Sequence, residues 1–142
     1  MKLFAALLIA CSISLVLAQK DDATPQRHRW SADAVLSKVP TEARARTNPF
    51  QGNPLEARAG GKLFEQHCAE CHGPKAGGTR HAPSLLSTEI WQAPPGSLFW
   101  ILTNGVVRHG MPVWSKLPEQ QRWQLVTFLQ SSGIETTDAA SR

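Results

Sequence analysis

The stretch Cys68-Ala69-Glu70-Cys71-His72 decides how this chain folds. It has the spacing C-x-x-C-H, in which the two cysteines lie about one helical turn apart and the histidine directly follows the second. Each thiol can form a thioether to a vinyl group of a haem, and the histidine is then close enough to ligate the iron. The sequence therefore predicts one haem c, attached through Cys68 and Cys71, with His72 as an iron ligand.

A second iron ligand is expected from a methionine. Besides the initiator, the chain contains one methionine, Met111. Haem iron is commonly held by His on one side and Met on the other, and the Met raises the reduction potential. We therefore expect Met111 to be the ligand opposite His72.

Two other interpretations of the C-x-x-C remain open at this point. It could be half of a zinc site or a thiol redox pair. Zinc needs two further ligands, which the sequence offers as His67, His72, His81 and His109. There is no second C-x-x-C to complete such a site. A thioredoxin-like function needs a βαβ context, which the sequence lacks.

The first residues have the pattern of an export signal. Met1-Lys2 gives a positive start, the stretch from Leu3 to Ala18 is apolar, and cleavage before Gln19 fits the small residue at its end. The apolar run of about sixteen residues is shorter than the roughly twenty that span a bilayer. Two alternatives are retention of residues 1–18 as a membrane anchor and lipidation at Cys11.

Charge and length suggest one small exported domain with no affinity for nucleic acid. The formal net charge is +4, with 15 basic and 11 acidic residues mixed along the chain, which is too mild for a nucleic-acid-binding surface. We expect a signal peptide at 1–18, an irregular N-terminal arm at 19–52, a compact domain at 53–133 and a flexible tail at 134–142. Within the arm, one short helix is expected around Ala32 to Lys38.

The compact domain is expected to be all-α. Asn53 as N-cap and Pro54 at the first position begin a helix that should run to about His67. The pair Gly60-Gly61 lies in its middle, where each glycine costs about 0.5–1 kcal/mol relative to Ala. Such a cost predicts the close approach of another helix.

Two further helices follow along the chain. Pro118 and Glu119 begin the last one, which is expected to cross the first and to end at Ser131-Ser132-Gly133. Between them, Leu98 to Leu102 predicts a short buried helix that starts at Pro95-Gly96-Ser97 and stops at Asn104-Gly105. Only Gly105-Val106-Val107 is expected to be briefly extended.

These residues together resemble the class I cytochromes c. The first helix of that family resembles the segment that contains Gly60, Phe64 and the C-x-x-C-H motif. The family helix that crosses it resembles the segment that contains Leu125 and Phe128. The loop Ala82-Pro83-Ser84-Leu85 resembles the family loop whose proline carbonyl accepts a hydrogen bond from the haem-ligating histidine. Gly110-Met111-Pro112 resembles the loop that delivers the axial methionine.

The resemblance covers about residues 54–131 and is strongest to small bacterial periplasmic monohaem cytochromes. It implies an all-α cytochrome c fold, with three to four helices around one covalent haem and an irregular N-terminal arm. The site residues carried over are Cys68, Cys71, His72, Pro83 and Met111. The aromatic residues Phe99, Trp100, Trp114 and Trp123 are expected to pack around the haem.

The function implied is transfer of single electrons between redox partners in the periplasm, with no enzymatic reaction. The partners expected are a dehydrogenase and/or a terminal oxidase, and no nucleic acid. Contact with a membrane is expected only if the N-terminal segment is retained or lipidated. The alternative is a haem-based ligand-binding sensor, or a peroxidase-like enzyme, with a labile sixth ligand.

Overall fold

The computed structural model describes residues 31–140, with side chains for residues 31–132, and the predicted signal segment lies outside this range. The α-helices in chain order are α1 Ala32–Leu36, α2 Thr41–Arg44, α3 Pro54–His67, α4 Ala69–His72, α5 Thr88–Trp91, α6 Pro95–Asn104 and α7 Glu119–Ala140. A 3-10 helix lies at Val107–His109, and the β-structure of this part of the chain is a single bridge between Val106 and Met111. The predicted all-α class is confirmed.

Helix α3 begins and ends where the sequence predicts. The Asn53 Oδ1 accepts hydrogen bonds from the backbone N–H groups of Leu55 at 3.0 Å and Glu56 at 3.4 Å. This satisfies two of the donors that the start of a helix leaves without a partner, while Pro54 has no N–H to satisfy. At the other end, the Cys68 N–H donates to the Phe64 carbonyl at 2.8 Å. The first cysteine of the C-x-x-C-H motif is thereby fixed at the end of α3.

Helices α3 and α7 cross at Gly60, as the glycine pair predicts. A Cβ atom at this position would overlap the backbone carbonyl of Gln124 and lie 2.9 Å from the Cβ of Phe128. Next to the crossing, the rings of Phe64 and Phe128 pack with centroids 5.3 Å apart. Phe64 is 1 % exposed, so the crossing lies at the centre of the core.

Helix α7 continues beyond the end expected at Ser131-Ser132-Gly133 and reaches Ala140. The hydroxyls of Ser131 and Ser132 donate to the Phe128 carbonyl, each at 2.9 Å. Because these hydroxyls bond back into the preceding turn, they do not compete for the N–H groups that continue the helix. One glycine inside a helix costs only about 0.5–1 kcal/mol relative to Ala. The division into arm, domain and tail stays a prediction.

Helix α6 is the buried helix predicted from Leu98 to Leu102, and it ends at Gly105 with a positive φ of 69°. Its first turn contacts the N-terminal arm. A Cβ at Gly96 would overlap the Ala43 carbonyl and lie 2.8 Å from the Arg46 carbonyl. The sequence predicted helix α1 but not α2, which brings the arm against α6 at this point.

No helix in the described range 31–140 combines the length and apolar character that crossing a bilayer requires.

The crossing at Gly60 can be tested with two neighbouring alanine substitutions. Gly60→Ala should lower the free energy of unfolding by about 1–3 kcal/mol, since the new methyl group must displace the α7 backbone. Gly61→Ala is the control, because its Cβ would lie 3.4 Å from the Phe128 ring in ordinary contact. Denaturant unfolding of both haem-loaded variants measures the difference. Equal stability of the two variants would contradict the crossing.

Candidate haem site

A cavity that is partly open to solvent lies among α1, α3, α6 and α7. The lining residues that carry only hydrocarbon side chains are Ala32, Val35, Leu36, Phe64, Pro83, Leu85, Ile90, Leu98, Ile101, Leu102, Val106, Leu125 and Leu129. The other three are Cys68, His72 and Met111, so the side chains that bear nitrogen or sulfur are those expected at a haem c.

The two cysteines occupy different environments. Cys68 lines the cavity and is half-buried, whereas Cys71 is exposed and does not line it. Burial raises the pKa of the Cys68 thiol to about 11, and the nearby Cys71 contributes in the same direction. The Cys68 thiol is therefore neutral at pH 7. Cys68 therefore lies on the cavity, while Cys71 lies one helical turn away at the surface, and attachment of a haem to both cysteines stays a prediction.

These properties suit a haem better than a zinc ion. Zinc binds cysteine as the thiolate, which an apolar cavity disfavours. Within the described residues, no group of three or more His, Cys, Asp or Glu side chains is arranged to hold a metal ion. The zinc site considered from the sequence therefore has no counterpart among residues 31–132.

His72 is held in one orientation by the loop that follows it. Its Nδ1 donates to the carbonyl of Pro83 at 3.0 Å. Because a carbonyl oxygen can only accept, this bond places the proton on Nδ1 and the lone pair on Nε2. Such a bond orients a ligating histidine and raises its basicity. His72 is 9 % exposed and also lines the cavity, so the ring is both buried and fixed.

The loop from Gly73 to Leu85 is folded so that Pro83 reaches His72. The Gly78 N–H donates to the His72 carbonyl at 2.8 Å, and the Leu85 N–H donates to the Ala76 carbonyl at 2.8 Å. Gly78 has a positive φ of 85°, and a Cβ there would lie 2.5 Å from the Ser84 nitrogen. Only glycine permits both this backbone conformation and the close approach of the loop backbone at Ser84.

Met111 enters the same cavity from a second loop. Its carbonyl accepts from the Val106 N–H at 3.0 Å, and its own N–H donates to the Val106 carbonyl at 3.3 Å. Gly105 lets this loop close tightly, since a Cβ there would lie 2.7 Å from the Pro112 carbonyl. Beyond Met111, the Trp114 N–H donates to the Leu102 carbonyl of α6 at 2.9 Å. Backbone bonds on both sides thus fix the position of Met111.

The four aromatic residues expected around the haem lie elsewhere. None of Phe99, Trp100, Trp114 and Trp123 lines the cavity, and Phe64 is the aromatic residue that does. Phe99 stacks on Trp123 with ring centroids 4.1 Å apart. For Phe99 and Trp100 the reason is that neighbouring residues of α6 point in different directions. Leu98, Ile101 and Leu102 line the cavity, while Phe99 packs against α7.

Sequence reasoning missed the contribution of α1. Ala32, Val35 and Leu36 line the cavity although they lie in the arm that was expected to be irregular. Their spacing of i, i+3 and i+4 is that of one apolar face of a helix. This spacing was the available signal, but over five residues it could not show what the face would contact.

Comparison with known proteins places this geometry in a family. Residues 55–129 match the family described as cytochrome c oxidase, cbb3-type, subunit III. The chain is also similar to a protein named cytochrome c550 from Pseudomonas aeruginosa. The two are 26 % identical over 132 residues, which cover 90 % of this chain and 91 % of that protein. The family match spans more than half of the chain and confirms the resemblance seen in its motifs. This chain therefore belongs to the cytochrome c family and is a haem-containing electron carrier.

Proposed function

We propose that this protein carries single electrons between periplasmic redox proteins through one haem c that is attached to Cys68 and Cys71 and ligated by His72 and Met111. The observation that supports this proposal is the convergence of Cys68, His72 and Met111 on one cavity whose other side chains are hydrocarbon. When bound, the haem supplies a one-electron couple between ferric and ferrous iron.

The residues of the chain would tune that couple in three ways. The apolar lining excludes water and disfavours the extra positive charge of the ferric state. The thioether of Met111 raises the potential further. The hydrogen bond from His72 to the Pro83 carbonyl strengthens the basicity of the imidazole, which favours the ferric state. The net potential is the balance of these opposed contributions.

The fixed ligand loops favour an electron carrier over a ligand-binding sensor or a peroxidase-like enzyme. Those alternatives need a sixth position that opens readily. Here the N–H and the carbonyl of Met111 are both hydrogen-bonded to Val106. The Trp114 N–H is hydrogen-bonded to α6, which holds the segment after Met111 in place. These backbone bonds limit how far Met111 can move away from the cavity. We therefore propose that both ligands stay bound in both oxidation states.

The surface beside the Met111 loop would suit brief docking of a partner. Val107 is 69 % exposed and Val113 is 51 % exposed, and the exposed cations Arg108 and Lys116 are close to them in sequence. Electron-transfer encounters are typically small and transient. The matched family is described as a subunit of a cytochrome c oxidase, which supports a redox protein as the partner. We propose a terminal oxidase and/or a dehydrogenase, with membrane attachment only if residues 1–18 are retained or lipidated.

Ligation of the haem iron by Met111 can be tested by substitution. Met111→Ala should leave the haem covalently attached, lower the reduction potential because the thioether is lost, and open the sixth position to carbon monoxide or cyanide. Visible spectra of the oxidised, reduced and carbon-monoxide-treated protein measure these effects. The parent protein should be low-spin, show the Met-to-iron band when oxidised, and not respond to carbon monoxide.

Val113→Ala is the matched control for this experiment, since Val113 is exposed and does not line the cavity. It should keep the parent spectrum. If Met111→Ala bound carbon monoxide no better than the parent, Met111 would not be the ligand. A parent that is high-spin and binds carbon monoxide would favour the sensor or enzyme instead.

The role of the loop from Gly73 to Leu85 in orienting His72 can be tested at Gly78. Gly78→Ala should lower the free energy of unfolding of the haem-loaded protein by about 1–3 kcal/mol, from backbone strain and displacement of Ser84. It should also speed exchange of the His72 Nδ1 proton, which NMR can follow. Gly77→Ala is the control, because nothing lies within 4 Å of its Cβ position. Unchanged exchange in Gly78→Ala would mean that this loop does not hold His72.

A further inference from the structure

We propose that residues 31–48 form a strap that closes one side of the haem cavity, and that this strap raises the reduction potential and shields the iron from external ligands. The inference rests on the proposed function, because it assumes that a haem fills the cavity. The family match begins at residue 55, so the strap is an addition to the matched segment.

Helix α1 supplies the part of the strap that faces the cavity. Ala32, Val35 and Leu36 contribute hydrocarbon side chains to the lining. Ala32 and Leu36 also pack against the buried core, which includes Phe64 and Leu125. On the same helix, Asp33 and Ala34 are exposed. Helix α1 is therefore amphipathic, and its apolar side completes the wall of the cavity.

Arg44 joins α1 to α2 into one unit. Its guanidinium donates to three carbonyls at the end of α1 and just after it: Leu36 at 3.2 Å, Ser37 at 2.9 Å and Val39 at 2.9 Å. The Leu36 and Ser37 carbonyls are among those that the end of a short helix leaves without an intrahelical partner. Val39 is 3 % exposed, so the connection between the two helices is also buried.

The end of the strap is fastened to α6 and α7. The Asn48 side chain is buried; its Nδ2 donates to the Thr127 hydroxyl at 2.9 Å, and its Oδ1 accepts from the Phe50 N–H at 3.0 Å. A buried hydrogen bond of this kind contributes about 0.5–1.5 kcal/mol net, so it favours the closed position.

Arg46 adds a second attachment beside Asn48. Its guanidinium lies 4.3 Å from the ring centroid of Phe99 and 5.2 Å from that of Trp123, and it pairs with Glu119 at 2.6 Å. The hydrogen bond from Arg46 lowers the pKa of the Glu119 carboxyl, so the pair is charged at neutral pH. An exposed ion pair contributes little by itself, and the contact of the cation with the two rings carries more of the stabilisation.

The strap has a physical consequence for a haem behind it. An apolar wall keeps water and ions away from the ring, and this raises the free energy of the more highly charged ferric form. The same wall blocks the approach of small ligands. A chain in which the strap opened more often would have a lower potential and faster ligand entry.

The wall is tested with charges of both signs at adjacent positions of the haem-loaded protein. Val35→Glu and Val35→Lys place a charge on the cavity side of α1, and Ala34→Glu and Ala34→Lys place the same charges on the exposed side. The potential should be lower for Glu than for Lys at both positions. At Val35 the difference should reach at least about tenfold in the ferric-to-ferrous equilibrium, which is 59 mV for one electron. At Ala34 it should be several-fold smaller, because water screens an exposed charge.

The fastening is tested without introducing charge, so the result does not depend on how well the charged variants fold. Asn48→Ala should increase the open population by about tenfold or more, from the loss of a buried hydrogen bond. Hydrogen exchange of the amides of residues 32–46 and the rate of imidazole binding to the ferric protein should rise together. Thr47→Ala is the control, because Thr47 is exposed.

The outcomes separate this inference from the proposed function. A parent protein without covalent haem, or without the Met-to-iron band, would refute the proposed function before any variant is made. Two results would overturn the strap alone if the parent has the expected spectrum. The first is a Glu-to-Lys difference in reduction potential that is the same at positions 34 and 35. The second is a rate of imidazole binding that is the same in Asn48→Ala and Thr47→Ala.

Discussion

The close crossing of α3 and α7 at Gly60 is the contact on which the rest of the structure depends. The absence of a side chain there lets the two backbones touch, which brings Phe64 against Phe128. Leu125 and Leu129 of α7 then lie on the cavity together with Phe64. Because Cys68 follows directly at the end of α3, the same crossing also determines where a haem can be attached.

The cavity combines an apolar lining with two loops that are fixed by their own backbones and that place the proposed ligands His72 and Met111. Gly78 lets the first loop fold back so that Pro83 orients His72, and Gly105 lets the second close around Met111. A single-electron carrier requires little rearrangement on oxidation and reduction. Under the proposed ligation, the backbone hydrogen bonds of these two loops would limit such rearrangement.

The N-terminal arm gives this chain a feature outside the segment that the family match covers. A cytochrome c domain needs apolar cover for its haem, and a domain of this size has few residues to provide it. Helix α1 adds hydrocarbon lining, and Asn48 and Arg46 hold it in place through α7 and the Phe99–Trp123 stack.

The sequence alone determined the elements whose signals are local. The C-x-x-C-H spacing, the cap at Asn53 and the glycine pair at Gly60 each act over one or two helical turns, so the haem motif, the bounds of α3 and the helix crossing could be read directly. Three other features depend on contacts between residues far apart in the chain. They are the orientation of Phe99 away from the cavity, the path of α1 across it and the exposure of Cys71. Only the tertiary structure decided these, because the direction a helix faces is set by what it packs against.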